Sequence, residues 1–325
     1  MLVVADDRLS VVAPVPDIAP TLIEALENWA TAEPLLREAA AKLEAGVLSD
    51  TRPFVHAAMA APLPRSPQFL DGSVYLRHME KARKARGAAM PPNYQTEPIM
   101  YQGLSDDFLG PQEPMPVPDE AYGIDYEPEL AVIVDDVPLG TPVEHAAEHI
   151  KLVVLLNDFT LRALTQTELP KGFGFVQAKP TSSFAAAAVT PDTLGAAWDG
   201  ERFHLRVRSG VNDTRIGDAD AATGMFFTYP QLIAHAARTR RLSAGTIIGA
   251  GAISNEDAAS GHGCLAEARI AEEIEFGAPR TPWLRFGDVV WMDAVDPSTP
   301  PNPADSDGPG IFGSIRQPIV PAGSA

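Results

Sequence analysis

Apolar residues in this chain come mostly in short runs or alternating stretches, and only a few segments carry helical spacing. Residues 2–13 are expected to form a short strand or hairpin. Leu22, Ile23, Ala25, Leu26 and Trp29 make an apolar stripe at helical spacing, so 20–46 is expected to hold two helices, separated by Pro34. Pro62, Pro64 and Pro67 then punctuate the chain. They place a boundary near residue 64, between a small N-terminal α/β domain over 1–64 and a larger domain over 65–325.

Beyond the boundary, 73–86 has helical character and 90–121 is rich in Pro and Gly, which suits a long ordered loop with short strands. The run 124–134 enters the core as a strand. Thr141-Pro142-Val143-Glu144 is a strong helix start, with Thr141 as cap, Pro142 at the first helical position and Glu144 completing a capping box. That helix is expected to reach about Lys151 and to feed a second buried strand over 152–157. A hairpin is expected over 203–209 and 211–216, turning at Ser209-Gly210, and a helix over 230–241. Short strands follow at 246–250, 265–274, 286–293 and 311–319, with an exposed Pro/Asp/Ser loop at 296–309. Many short strands with few helices argue for an α+β fold.

The 325 residues are 45% hydrophobic, enough for a sizeable core, and carry a net charge of −18. A polyanion repels nucleic-acid phosphate and anionic lipid, so neither is expected as a partner. An acidic substrate would be repelled too, unless the pocket carries its own Lys or Arg. The single cysteine, Cys264, precludes an internal disulfide and is expected as a structural thiol. With no basic signal segment and no long apolar run, the expected location is cytoplasmic. His145 and His149 are spaced four apart on one predicted helix, but without a third ligand they are not expected to bind zinc. Lys81, Arg83, Lys84 and Arg86 are expected as a solvated helix face.

Glu127 and Glu129 sit two apart in a predicted strand, so both side chains point to one face. Asp158 ends the next strand. Carboxylates at the ends of buried strands repel one another unless something neutralises them. Three converging hard oxygen donors would suit Mg²⁺, Mn²⁺ or Ca²⁺. The competing reading is a solvated strand edge, with Asp158 capping a turn.

Tyr126-Glu127-Pro128-Glu129-Leu130-Ala131-Val132-Ile133, followed by Asn157-Asp158-Phe159-Thr160-Leu161-Arg162, resembles the paired signature of the fumarylacetoacetate hydrolase family. The resemblance covers roughly residues 65–320 and is closer to the fumarylacetoacetase-type members. It implies a mixed β-roll catalytic domain behind a small N-terminal domain, and a homodimer. It also implies a divalent metal, Mg²⁺ before Mn²⁺ or Ca²⁺, held by Glu127, Glu129, Asp158 and Asp71; the alternative for Asp71 is a helix cap near Gly72.

The same resemblance makes His78 the general base, with Glu267 of Gly263-Cys264-Leu265-Ala266-Glu267 as its orienting carboxylate and Glu80 as the alternative. Arg162 would hold a carboxylate or enolate oxygen, or else form a structural salt bridge. Lys179 would neutralise an oxyanion, Ser183 would supply a hydroxyl, and Tyr101 and Gln166 would contact substrate. One departure stands out: Gly249-Ala250-Gly251-Ala252-Ile253-Ser254 has Ala252 where fumarylacetoacetases carry a substrate-touching Thr, which argues against fumarylacetoacetate itself. The implied activity is metal-dependent hydrolysis of a C–C bond in a small oxo-acid. A hydratase, decarboxylase or tautomerase on the same scaffold is the alternative, and a non-catalytic binding paralogue the remote one.

Overall fold

The computed structural model describes residues 1–5, 9–85, 89–90, 92–298 and 310–323; the side chains of Ala5 and, within one helix, of Arg77, His78, Ala82, Lys84 and Ala85 lie outside this description. The fold is α+β. Its centre is a six-stranded sheet ordered Ser183–Phe184, Ile150–Asn157, Pro128–Val134, Ile247–Gly249, Phe69–Gly72 and Met100–Gly103. All neighbours are antiparallel except Ile247–Gly249 beside Phe69–Gly72. A five-stranded sheet follows the order Thr214–Asp220, Arg206–Val211, Val289–Val295, Ile315–Pro321 and Met115–Val117.

The central strands are apolar on both faces because both faces are covered. Along Pro128–Val134, Leu130 and Val132 join the large core together with Leu70, Val153, Leu155 and Ile248. Ala131 and Ile133 face the other way, with Phe69, Leu152, Val154, Leu156 and Ile247. That second face is covered by Leu26 and Trp29 of the N-terminal segment. The segment itself is a three-stranded sheet, Leu2–Ala5, Val11–Pro14 and Arg52–Pro53, with helices Leu22–Glu27 and Trp29–Glu44. Burial of a side chain the size of Trp29 stabilises by roughly 2–3 kcal/mol, so this contact is substantial.

Several elements differ from expectation. The two N-terminal helices break at Asn28, and Pro34 lies inside the second, which forgoes one helical hydrogen bond there. Helix Val143–Ala146 continues as a 3₁₀ turn only to His149, and Thr141 is not its cap: the Thr141 hydroxyl donates to the Pro138 carbonyl at 2.8 Å. The hairpin turns at Asn212-Asp213, three residues later than expected; Ser209-Gly210 instead lies within the strand, at a bulge where the register shifts. Residues 265–274 are not a strand but most of helix Leu265–Phe276, an Ala- and Glu-rich stretch with high helix propensity. Helix Tyr229–Ala236 forms as expected, with a Thr228/Gln231 capping box. Most of the loop expected at 296–309, and the side chains of Lys84 and Arg86, fall outside the described residues. Among the described residues no helix is long and apolar enough to cross a membrane.

Candidate metal and acid–base site

Three elements of the central sheet end together. Asp71 lies on strand Phe69–Gly72, Glu129 on Pro128–Val134, and Asp158 follows Ile150–Asn157. One carboxylate oxygen from each falls within 4.8 Å of the others, and all three residues are buried. Strand Ile247–Gly249 runs between the first two, and it ends in glycine. A Cβ at position 249 would collide with Asp71 Oδ1 and come to 3.2 Å from Glu129 Oε2. The sheet therefore leaves a side-chain gap where the carboxylates meet. Gly249→Ala should push Asp71 out of the cluster and weaken divalent-metal affinity by at least about tenfold, measured by calorimetric titration with Mn²⁺; unchanged affinity would refute this role for the gap.

Asp71 does not cap a helix. It sits inside a strand, its Oδ1 accepts the Gly251 amide at 3.1 Å, and the following helix begins only at Leu76. Gly251 reaches this position at φ +89°, a region that favours glycine. Burial, then the charge of Asp158, pushes the Asp71 carboxyl up to about 8. Burial, then Asp71 and Asp158, also holds Glu129 well above the usual carboxylate range. Among the described residues, neither Glu129 oxygen receives a hydrogen bond. A fully buried carboxylate without donors is costly. A hard divalent cation would supply what both oxygens lack, so these residues fit such an ion.

Glu127 is placed differently from the other acids. Its Oε1 accepts from Arg162 Nη2 at 2.7 Å and its Oε2 from Lys179 Nζ at 2.5 Å. Lys179 also donates to Asp158 Oδ2 at 2.5 Å, and that same oxygen accepts the Tyr101 hydroxyl at 2.5 Å. Burial disfavours the Lys179 charge, but Asp158 and Glu127 outweigh it and hold the ammonium protonated far above neutrality. Burial and the surrounding acids likewise keep Tyr101 a phenol, hence a donor. Tyr101 packs edge-on against Phe175 at 5.1 Å.

Arg162 is half-buried and ion-paired: its Nε donates to Asp125 Oδ2 at 2.8 Å while Nη2 holds Glu127. These contacts are the salt bridge expected as one alternative for Arg162. Gln166, one turn along helix Arg162–Glu168, is exposed.

Ser183 is not at the cluster. It pairs with Asn157 across the sheet, and its hydroxyl donates to Gln317 Oε1. The neighbouring Ser182 faces the acids instead, donating to Asp158 Oδ1 at 2.9 Å. Adjacent strand residues point to opposite faces, so a one-residue error exchanges the two. Ser182→Ala should lower kcat by roughly tenfold through loss of one Asp158 hydrogen bond, whereas Ser183→Ala should affect stability alone. The reverse pattern in steady-state kinetics would contradict this placement.

Glu267 is buried in the first turn of helix Leu265–Phe276, where its Oε2 accepts the Gly263 amide at 2.9 Å and the Ser254 hydroxyl at 3.0 Å. Glu80 is exposed. Helix Leu76–Ala85, which carries His78, packs on this helix, and Lys81 Nζ lies 3.7 Å from Glu267 Oε2. The His78 side chain is outside the described residues. His145 and His149 pair with Glu148 and Asp135, with no metal cluster there among the described residues.

Two buried acids that the sequence did not single out organise the site. Asp125 receives four hydrogen bonds, including those from the Leu265 and Ala266 amides. Glu168 accepts the amides of Val176, Gln177 and Ala178, the segment leading into Lys179. Burial opposes its charge, but these three amides prevail and hold it below the usual range.

Residues 68–320 match the fumarylacetoacetate (FAA) hydrolase C-terminal family, and residues 1–65 match fumarylacetoacetase N-terminal domain 2. Among curated relatives, a 2,4-didehydro-3-deoxy-L-rhamnonate hydrolase of Sphingomonas sp. is 27% identical over 60% of this chain and 69% of its own length. A Caenorhabditis elegans fumarylacetoacetase is 26% identical over 72% of this chain and 64% of its own length, and an oxaloacetate tautomerase of Xenopus laevis is 24% identical over 46% of each. Solved structures show the same fold. A fumarylpyruvate hydrolase from Pseudomonas aeruginosa, in complex with Mn²⁺ and pyruvate, superposes with a TM-score of 0.54 at 13% identity, covering 79% of this chain and 90% of that one. A 5-carboxymethyl-2-hydroxymuconate delta-isomerase from Mycobacterium smegmatis gives 0.51 at 17% identity, covering 85% of this chain and 85% of that one.

Proposed function

The chain belongs to the fumarylacetoacetate hydrolase family, and from that premise we propose that it is a divalent-metal-dependent hydrolase cleaving a C–C bond in a 2,4-dioxo acid or related 1,3-diketone. The observation that carries this reading is the convergence of Asp71, Glu129 and Asp158, with both Glu129 oxygens left without donors among the described residues. The Sphingomonas relative and the Pseudomonas structural neighbour are named hydrolases, and the Caenorhabditis elegans relative a fumarylacetoacetase. The Pseudomonas protein is in complex with Mn²⁺ and pyruvate, and pyruvate is the fragment that cleavage of a 2,4-dioxo acid releases. Mg²⁺ is the preferred cofactor in this reading, with Mn²⁺ or Ca²⁺ able to use the same oxygen donors.

A cation held by the three acids would act as a Lewis acid towards a carbonyl or enolate oxygen. The chain's own residues supply the rest. His78, oriented by Glu267, takes a proton from water, and the hydroxide adds to the distal carbonyl carbon. The C–C bond to the central carbon then breaks, its electron pair leaves as an enolate, and a proton returned to that carbon completes two acids, or an acid and a ketone. Lys179 has two of its three N–H donors on Glu127 and Asp158. The third is available to the developing oxyanion. His78→Ala should abolish turnover while leaving Mn²⁺ affinity unchanged; substantial residual kcat would remove His78 from the mechanism.

Tautomerase and isomerase relatives keep a second reading open: enolisation without cleavage. A panel of 2,4-dioxo acids and oxaloacetate, followed by ultraviolet absorbance with Mg²⁺ or Mn²⁺ and with EDTA, separates them. Metal-dependent loss of the enol band with two products by mass spectrometry supports hydrolysis. Faster keto–enol exchange at constant mass supports the tautomerase. No metal-dependent change on any compound would sink both.

A further inference from the structure

We propose that Asp125 is a positioning residue that holds the helix bearing Glu267 in register with the acid cluster. This rests on the reading of Glu267 as the partner of the general base. Helix Leu265–Phe276 has twelve residues and needs acceptors for its first amides. Its own N-cap residue, Cys264, makes no side-chain cap hydrogen bond. Asp125, 140 residues earlier in the chain, does the capping: Oδ1 accepts Leu265 N at 2.9 Å and Oδ2 accepts Ala266 N at 3.0 Å. Its remaining capacity takes the Tyr126 amide at 2.9 Å and Arg162 Nε at 2.8 Å.

Asp125 itself is fixed by its place in the fold. It pairs with Thr160 in the two-stranded ladder between Ile124–Asp125 and Thr160–Leu161. That ladder joins the start of the Glu127/Glu129 strand to the segment just after Asp158. Through Arg162 it connects onward to Glu127, then Lys179, then Asp158. One buried hydrogen-bonded path therefore runs from the acids to the first turn of the helix, where Glu267 sits. Neither end can shift without breaking a charged hydrogen bond on that path.

Asp125→Asn tests this directly. One Asn atom is an amide nitrogen, which faces a donor wherever it is placed. Amides of the first helical turn should exchange faster with deuterium. On an oxo-acid the wild type turns over, kcat should fall by about 10- to 100-fold, the size expected for misplacing a catalytic group. KM and Mn²⁺ affinity, the latter read by electron paramagnetic resonance, should stay within about threefold. Adding Cys264→Ser supplies a local cap hydroxyl on a backbone already extended at that residue. The double variant should regain slow exchange and part of kcat.

Unchanged exchange in Asp125→Asn overturns the proposal. So does faster exchange with full kcat, and so does a fall in Mn²⁺ affinity parallel to kcat, which would place Asp125 with the acid cluster instead. Should Asp125→Asn not fold, the double variant carries the test: folded and active supports the proposal, folded and inactive overturns it. Exchange needs no turnover, so a wild type inactive on every oxo-acid would sink the functional reading while the exchange measurement still decides the cap.

Discussion

Glu129→Gln will lower kcat/KM by about a thousandfold, ~4 kcal/mol of transition-state stabilisation, and will flatten the pH dependence of the metal-free protein's stability. Both effects follow from one carboxylate that is buried with no hydrogen-bond donor among the described residues. In the proposed reading, loss of one of three hard ligands would weaken the cation site and the Lewis acid that depends on it. The pH effect comes from linkage. The Asp71 carboxyl is pushed up to about 8, first by burial and then by Asp158. Between the ordinary value near 4 and about 8, the folded protein keeps a proton that the unfolded chain releases. Stability is therefore present at low pH and lost as pH rises through that window, by at most ~1.4 kcal/mol per unit for one such group. Glu129, raised in the same direction, adds to the slope. Metal-free wild type should melt lower at pH 8 than at pH 5. Divalent metal should reverse this, adding ~2.7 kcal/mol at a hundred times Kd. Glu129→Gln should show a shallower slope and a weak metal response. Equal slopes for the two proteins in thermal unfolding would contradict the account.

The second large effect belongs to Lys179→Met. Its ammonium is shared between Glu127 and Asp158, and the residue is 8% exposed. Truncating one partner of a buried ion pair leaves uncompensated charge, at a cost of about 3–5 kcal/mol. Divalent metal should recover part of that loss, because a cation at the cluster neutralises Asp158 in place of the lysine. Urea unfolding with and without Mn²⁺ checks this: a larger penalty in the presence of metal would be the wrong sign. With Lys179 donating to the oxyanion as proposed, its removal should also lower turnover by about a hundredfold.

How much of this was legible in the sequence varied with the range of the interaction. Glu127 and Glu129 were legible because a strand has period two and the apolar run after them fixed the phase. The structure then separates the pair: Glu129 joins the acids, while Glu127 holds the two basic residues. Ser182 and Ser183 stand side by side, and only strand register decides which faces Asp158. Residues 265–274 form a helix where a strand is expected, since Ala and Glu make up most of the stretch and favour a helix. Asp125 and Glu168 gave no signal. Apart from Arg162 on Asp125, their partners given above are backbone amides, at distances of up to 141 residues for Asp125, and an amide has no side-chain identity to recognise. Gly249 was visible as a glycine, but its reason, two carboxylates closing over an absent Cβ, exists only in three dimensions.

The row of alternate residues that ends in Glu129 continues inward as Ala131 and Ile133, beside Phe69 and Ile247, and finishes under Leu26 and Trp29. The N-terminal segment thus covers the same face of the sheet that carries Glu129 at its other end. A consequence follows for substitutions in the small module. A charged residue in place of Leu26 or Trp29 would open that apolar face to water and loosen the strand that carries Glu129, without touching any of the acids.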